Sequence, residues 1–195
     1  DEQIALKARL VVDDDHRDWD LKAEGGLRLV GGVDISFIKD NEVDALAMLG
    51  ILRYPELEVV HTVSSMIELK APYIPGYLAF REVGHIMDLL EKLKASKPEL
   101  MPQVIFVDGN GTLHPHEFGL ACHLGVLADI PTIGVGKTIM KIDGLHEDWN
   151  KRRIAPGSEE MLVGTSGKVW GAAVTAVSTT KPVFISVGHR VSLST

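Results

Sequence analysis

The sequence predicts an α/β protein, a mixed sheet of three antiparallel strands followed by parallel ones, flanked by helices. Three observations predict it. Between residues 27 and 67, three runs rich in Val, Ile and Leu are separated only by short polar connections. Over 78–94 the apolar residues fall at helical spacing. The segments 103–108 and 131–136 are short apolar runs of the kind that buried parallel strands show.

Residues 1–24 are strongly charged, with Trp19 their only large aromatic, and predict a helix followed by a loop. RLVGGVDISFI (28–38), VDALAMLGIL (43–52) and LEVVHTVSSMI (57–67) predict three sequential antiparallel strands, because KDNE (39–42) and RYPE (53–56) are hairpin-length connections. APYIPGY (71–77) is an extended, proline-punctuated loop. In the helix after it, Glu82, Ile86, Leu89, Leu90 and Leu93 share one face. QVIFVD (103–108) predicts a buried strand, 116–128 a helix and PTIGVG (131–136) another strand. The segment 144–160 is polar and predicts loop, whereas KVWGAAVTAV (168–177) and PVFISV (182–187) predict strands. GHRVSLST (188–195) reads as the opening of a helix that is cut short. This order matches the ribonuclease H-like layout, and with no repeat or linker in sight it predicts a single domain over 1–195, either whole or short of a C-terminal helix.

Composition narrows the classes of function. A hydrophobic fraction of 45% and a charged fraction of 24% are those of a globular protein. No apolar run approaches the length of a membrane span, and the first residues lack a signal peptide's apolar core. The single cysteine, Cys122, forbids an internal disulfide and suits a reducing compartment, so a soluble intracellular chain is expected. The formal charge of −7 excludes binding through a broad cationic surface. It leaves either no nucleic-acid partner, or local binding in which buried carboxylates are offset by metal ions.

Three carboxylates stand where carboxylates are costly. Asp34 interrupts the apolar strand Gly31-Gly32-Val33-Asp34-Ile35-Ser36-Phe37. Asp108 ends Val104-Ile105-Phe106-Val107 at the carboxyl edge of a central strand, where open α/β sheets tend to carry their sites. Glu82 lies on the apolar stripe of its helix, and an acid there calls for a partner. Each has an ordinary explanation: a strand Asp can bond backbone or water, and a helix Glu can pair with Lys or Arg. The three together bring metal-assisted hydrolysis level with those explanations, since Mg²⁺ binds through a few carboxylates plus substrate phosphates, and paired ions can activate water against a phosphodiester. The glycines of Asp108-Gly109-Asn110-Gly111 suit a tight strand-to-helix turn or a close approach of backbone to ligand.

GGVDISF (31–37), PYIPGYLAFRE (72–82), VDGNGTLHP (107–115), FGLACHLGV (118–126), PTIGVGK (131–137) and ISVGHRVSL (185–193) resemble, in order, the endonuclease V family, with a lean towards its animal members. The resemblance implies a ribonuclease H-like fold and hydrolysis of the second phosphodiester 3′ to inosine with Mg²⁺ or Mn²⁺. Asp34, Glu82 and Asp108 match the family's metal-binding acids. Lys137 matches a lysine that meets the scissile phosphate, and His189 a histidine near the metal site. Pro72, Tyr73, Ile74 and Pro75 match a wedge that separates the target base from its neighbours; Gly76, Leu78 and Gly109 match backbone lining the pocket for the extruded base. His114 matches the pattern either as a substrate contact or as a loop-ordering residue. The resemblance further implies inosine-containing single-stranded RNA as substrate, or deoxyinosine in DNA, a monomer, no membrane partner, and a cytoplasmic location with the nucleus or nucleolus beside it.

Other readings have their own signatures. Zinc is rejected, because His114, His116, Cys122 and His123 lack the spacings of zinc motifs. Lys151-Arg152-Arg153 is ordinarily a solvated face, though such a run can touch phosphates. A non-catalytic binder of inosine-containing RNA has no need of three acids beside phosphates, and a nuclease for RNA–DNA hybrids has no use for a wedge.

Overall fold

A computed structural model of the chain describes all residues except 1, 16–22, 24, 42, 73 and 75. Helix α1 spans Glu2–Lys7; then come β1 (Leu29–Phe37), β2 (Asp44–Arg53) and β3 (Glu58–Glu68), helix α2 (Leu78–Ser96), β4 (Val104–Asp108), α3 (Leu120–Ala128), β5 (Thr132–Gly136), β6 (Glu159–Val163), β7 (Val169–Val174) and β8 (Val183–His189). Among the described residues the strands form one eight-stranded sheet in the order β3-β2-β1-β4-β5-β8-β7-β6. The pairs β1–β2 and β2–β3 are antiparallel, as short connections require, while β1–β4 and β4–β5 are parallel. This is the ribonuclease H-like mixed sheet that the order of elements predicted.

The period-2 alternation of β1 sets its two roles. Val33 and Ile35 pack into the helix-covered core, whereas Asp34 and Ser36 between them are exposed on the other side of the strand. Helix α2 seats its stripe of Ile86, Leu89, Leu90 and Leu93 on Leu49, Ile51, Ile105 and Val107. Burying each such side chain contributes about 1.5–3 kcal/mol, enough to fix the helix by packing alone. Helix α3 joins the same core through Leu120, Ala121 and Leu124. A second core gathers Leu113, Ile139, Leu162, Trp170 and Phe184 beneath the β6–β8 end of the sheet.

Three elements differ from the sequence expectation. The helix expected from residue 116 starts at Leu120, because Glu117 takes φ 54° and buried Phe118 turns the chain into the core first. Strand β6 begins at the end of the stretch 144–160 whose polarity predicted loop and runs on into residues for which no element was predicted; it is the outermost strand, and only Leu162 of its five residues is buried, so its sequence carries little apolar signal. The expected C-terminal helix opening is not formed: β8 runs through His189, Arg190 takes φ 55°, and the last residues fold onto Asp14, whose carboxylate accepts Ser192 N at 2.7 Å. Among the described residues no helix is long and apolar enough to cross a membrane.

Candidate active site

The parallel register Val33↔Val107 sets Asp34 of β1 beside Asp108 at the end of β4. Their carboxyls lie within hydrogen-bond reach of each other. The bond from Asp108, seconded by the Ser36 hydroxyl at 2.8 Å, holds Asp34 below the usual carboxylate range. Burial first, and then that same bond to Asp34, raises Asp108. Lys137, the residue after β5, places its Nζ 2.5 Å from Asp108 Oδ2. Glu82 enters from the first turns of α2, where it is 7% exposed. Burial pushes its carboxyl up to about 7, against the opposing charge of Arg81 and with the help of Asp108 and Asp34.

These four side chains line one cavity of about 590 Å³ at the carboxyl edge of β4 and β5. Gly76, Leu78, Gly109 and His114 line it too, so eight of the residues singled out in the sequence meet there. Gly76 has φ +83°, a conformation that favours glycine, and its carbonyl is bonded by the His114 imidazole. His114 also accepts His116 N on Nδ1 at 3.2 Å; burial, then the nearby His116, pushes its pKa down to about 4. Neutral His114 therefore both faces the cavity and ties the 71–77 loop to the loop after β4. That second loop is held by close packing: a Cβ on Gly111 would sit 1.9 Å from the Val187 carbonyl oxygen, so only glycine fits.

Not every expected residue is brought there. Pro72 and Ile74 are exposed and do not line the cavity, and Tyr73 and Pro75 lie outside the described residues. His189 is a correction. Strand β8 runs antiparallel to β5, pairing Phe184 with Gly136 and His189 with Thr132, so His189 ends about 13 Å away along the strand, at ~3.3 Å per residue. There it is buried, accepts Val11 N on Nδ1 at 3.3 Å and faces Asp129 at 3.9 Å.

Sequence reading missed Ser36, Asn110 and Phe37. Ser36 could have been found as the residue two beyond Asp34, hence on the same face of the strand. Asn110 lines the cavity with its Oδ1 buried and without a hydrogen-bond partner among the described residues, set against Gly136, where a Cβ would meet that oxygen at 2.2 Å. Phe37 gave no signal beyond its strand; its ring lies under the Arg81 guanidinium at 5.5 Å.

The donors fit a hard divalent cation. They are all carboxylate oxygens, Asp34 and Asp108 side by side and Glu82 buried close by, where burial disfavours its charged form. Among the described residues no three acidic, His or Cys side chains converge on one point, so the acids line one wall and form no closed cage.

An acid-edged ribonuclease H-like sheet with a ligand-sized cavity at its carboxyl end defines the class: an α/β architecture whose acids suit metal-assisted hydrolysis. The comparisons give the family. The Endonuclease V family model matches residues 6–195. Mouse endonuclease V is 50% identical over 199 residues, covering 98% of this chain and 59% of the mouse protein; for the human protein the figures are 49%, 98% and 70%. The chain therefore spans about three-fifths of the mouse relative's length. The structure is similar to the catalytic domain of human endonuclease V (TM-score 0.88, 45% identity, 99% of this chain and 81% of that one). It is also similar to endonuclease V of Ciona intestinalis (TM-score 0.87, 36% identity, 99% and 82%). The chain belongs to the endonuclease V family.

Proposed function

We propose that the protein is a Mg²⁺-dependent endoribonuclease that hydrolyses the second phosphodiester 3′ to inosine in single-stranded RNA, leaving a 5′-phosphate and a 3′-hydroxyl. One observation carries the reading: a single cavity is lined by Asp34, Asp108, Glu82 and Lys137 together with Gly76, Leu78, Gly109 and His114. The charged group suits a scissile phosphate, and the second group an extruded base read by backbone groups. Bound divalent cations supply charge neutralisation and a water of lowered pKa. Asp34 and Asp108 hold that charge in place, and Glu82, relieved of its proton, completes the ligand set. Lys137, now bound to Asp108, is within reach of the phosphate and offsets charge on its oxygens as water attacks phosphorus and the bond to the 3′-oxygen breaks. His114 acts by fixing Gly76. His189 takes no part in proton transfer, since it is buried on the opposite edge.

The Ciona relative was crystallised with a DNA in which a ribo-adenosine follows the inosine. A ribose 2′-hydroxyl just past the base is the feature that separates RNA from DNA chemically, and this supports the RNA reading here. Matched single-stranded RNA and DNA oligonucleotides, each with one inosine and an inosine-free control, test it in Mg²⁺ and in EDTA. The expected result is Mg²⁺-dependent cutting of the inosine RNA one nucleotide beyond the base. Preferential cutting of the DNA would move the reading to repair of deaminated adenine; binding without cutting would make the protein an inosine-RNA binder.

A further inference from the structure

Six rings form an unbroken chain from the wall of the cavity out to solvent. His114, in the wall, meets His116 edge-on at 5.5 Å and 67°. His116 meets Tyr77 at 5.4 Å and 60°, and Tyr77 lies 6.3 Å from Phe80. Phe80 stands edge-on to His123 at 5.0 Å and 79°, and His123 contacts Phe118, which is again in the wall, at 5.6 Å. The chain thus leaves the cavity and returns to it.

Its two halves differ in exposure. His114, Phe118 and His123 are 4%, 0% and 1% exposed, whereas Tyr77 and Phe80 are 44% and 41% exposed and His116 is also open to solvent. The buried half is a rigid, apolar backing. His123 has its Nδ1 sealed from water without a hydrogen-bond partner among the described residues, and burial lowers its proton affinity. The exposed half is anchored rather than loose. Tyr77 sits at the start of α2 between two cavity-lining residues, with its N–H bonded to the Ile74 carbonyl at 2.9 Å. Phe80 is fixed in the helix, and His116 Nδ1 is 3.0 Å from Gln3 Oε1. Exposed aromatic side chains scattered singly need no explanation. Contiguous rings, backed from beneath and continuous with a ligand cavity, do.

We propose that Tyr77, Phe80 and His116 form a stacking platform for the base of the nucleotide next to the one held in the cavity, and that this platform selects unpaired strands. The inference rests on the functional reading above and extends it from the extruded base to its neighbour. Every base has an apolar π-face and stacks on an aromatic ring with little regard to sequence. In a duplex that face is already covered by the adjoining pair, so a protein platform gains only from a strand whose bases are free. Tyr77 separates the lining residues Gly76 and Leu78 in the chain, and its ring joins the cavity wall through His116 and His114, so the exposed rings adjoin the cavity.

The test is a binding cycle on the full chain with a fluorescent single-stranded RNA containing one inosine, in Ca²⁺, with strand integrity checked on a gel. A matched set of strands lacks one base at a time on either side of the inosine. The expected result is that loss of one neighbouring base weakens wild-type binding about tenfold, the size of one base–aromatic stack. Tyr77→Ala weakens the intact strand by a similar factor, shows little further loss on that abasic strand, and is rescued by Tyr77→Phe. Phe80→Leu, chosen to keep the packing on His123, shows the same pattern more weakly. Thermal melts establish that each variant is folded, and Tyr77→Leu replaces any that is not. Losses that simply add at every position, or a Tyr77→Ala protein that binds like wild type, overturn the platform. Equal affinity of the wild type for inosine and adenosine strands sinks the functional reading instead, and the same abasic scan on the adenosine strand then decides the platform alone.

Discussion

The two edges of the parallel core handle charge in opposite ways. At the carboxyl edge, Asp34, Asp108 and Glu82 face one cavity with Lys137 bonded to Asp108; burial raises Asp108 and Glu82, while the bond from Asp108 holds Asp34 low. At the other edge the charges are matched. Arg190 pairs with Asp129 at 2.7 Å and with Asp15, and its N–H bonds the Val11 carbonyl at 2.7 Å. His189 lies neutral beneath them, its proton affinity lowered by burial and then by Arg190. One edge is a structural clasp that holds the N-terminal segment to the end of β8. The other keeps a charge deficit at a cavity, and such a deficit is how a site for a cation and a phosphate is recognised before either is present.

Substitutions separate the two edges. Asp34→Ala or Asp108→Ala should lower cleavage of inosine RNA by roughly three orders of magnitude or more while largely sparing folding, as cleavage assays beside thermal melts would show. A variant that cuts at the normal rate would remove the metal-site assignment.

Glu82 offers a sharper test in the metal-free protein. Its folded-state carboxyl titrates at about 7 against an ordinary 4.5, so it binds its proton more tightly folded than unfolded. Below about 4.5 both states are protonated and nothing is lost. As pH rises towards 7 the unfolded chain releases the proton first, and the native state is penalised by up to about 3 kcal/mol above that. Glu82→Gln should therefore be the more stable protein at pH 8 and indistinguishable near pH 4, with added Mg²⁺ closing the gap; denaturant melts across that range decide it. Equal pH profiles for the two proteins would mean that Glu82 is not held in the charge deficit.

Lys137→Ala should cost about a hundredfold in the rate of cutting with a small change in substrate affinity, since on the proposed reading it removes the cation that offsets charge on the phosphate. The smallest expected effect on activity belongs to the opposite edge. His189→Ala should lower stability by about 1–3 kcal/mol, through a lost buried hydrogen bond and a small cavity, yet leave kcat within a fewfold at a temperature where the protein is folded. Loss of activity without loss of stability would instead return His189 to the site.

The chemistry of the site was legible because it breaks local rules: Asp34 in an apolar strand, Glu82 on a buried helical stripe and Asp108 at a strand's carboxyl end each conflict with their surroundings in the sequence itself. Lys137 entered by resemblance, as did Gly76, Leu78 and Gly109, and the fold sets all of them around one cavity. Ser36 and Asn110 were silent because a hydroxyl or an amide is unremarkable until its partner, or the lack of one, is seen. Strand β6 was hidden by its place at the sheet's edge, where one face and one ladder are left to solvent.

The sequence by itself determined the order of elements from β1 to β5, the helix-covered face and the identity of the acids, since periodicity and a charge set in an apolar pattern are properties of neighbouring residues. Which of the flagged residues share a site was decided by tertiary structure alone. Strand direction carried that decision: β5 runs parallel to β4 and delivers Lys137 to Asp108, whereas β8 runs the other way and carries His189 to the far edge. Direction is set by which strands pair across the sheet, and no local pattern records it.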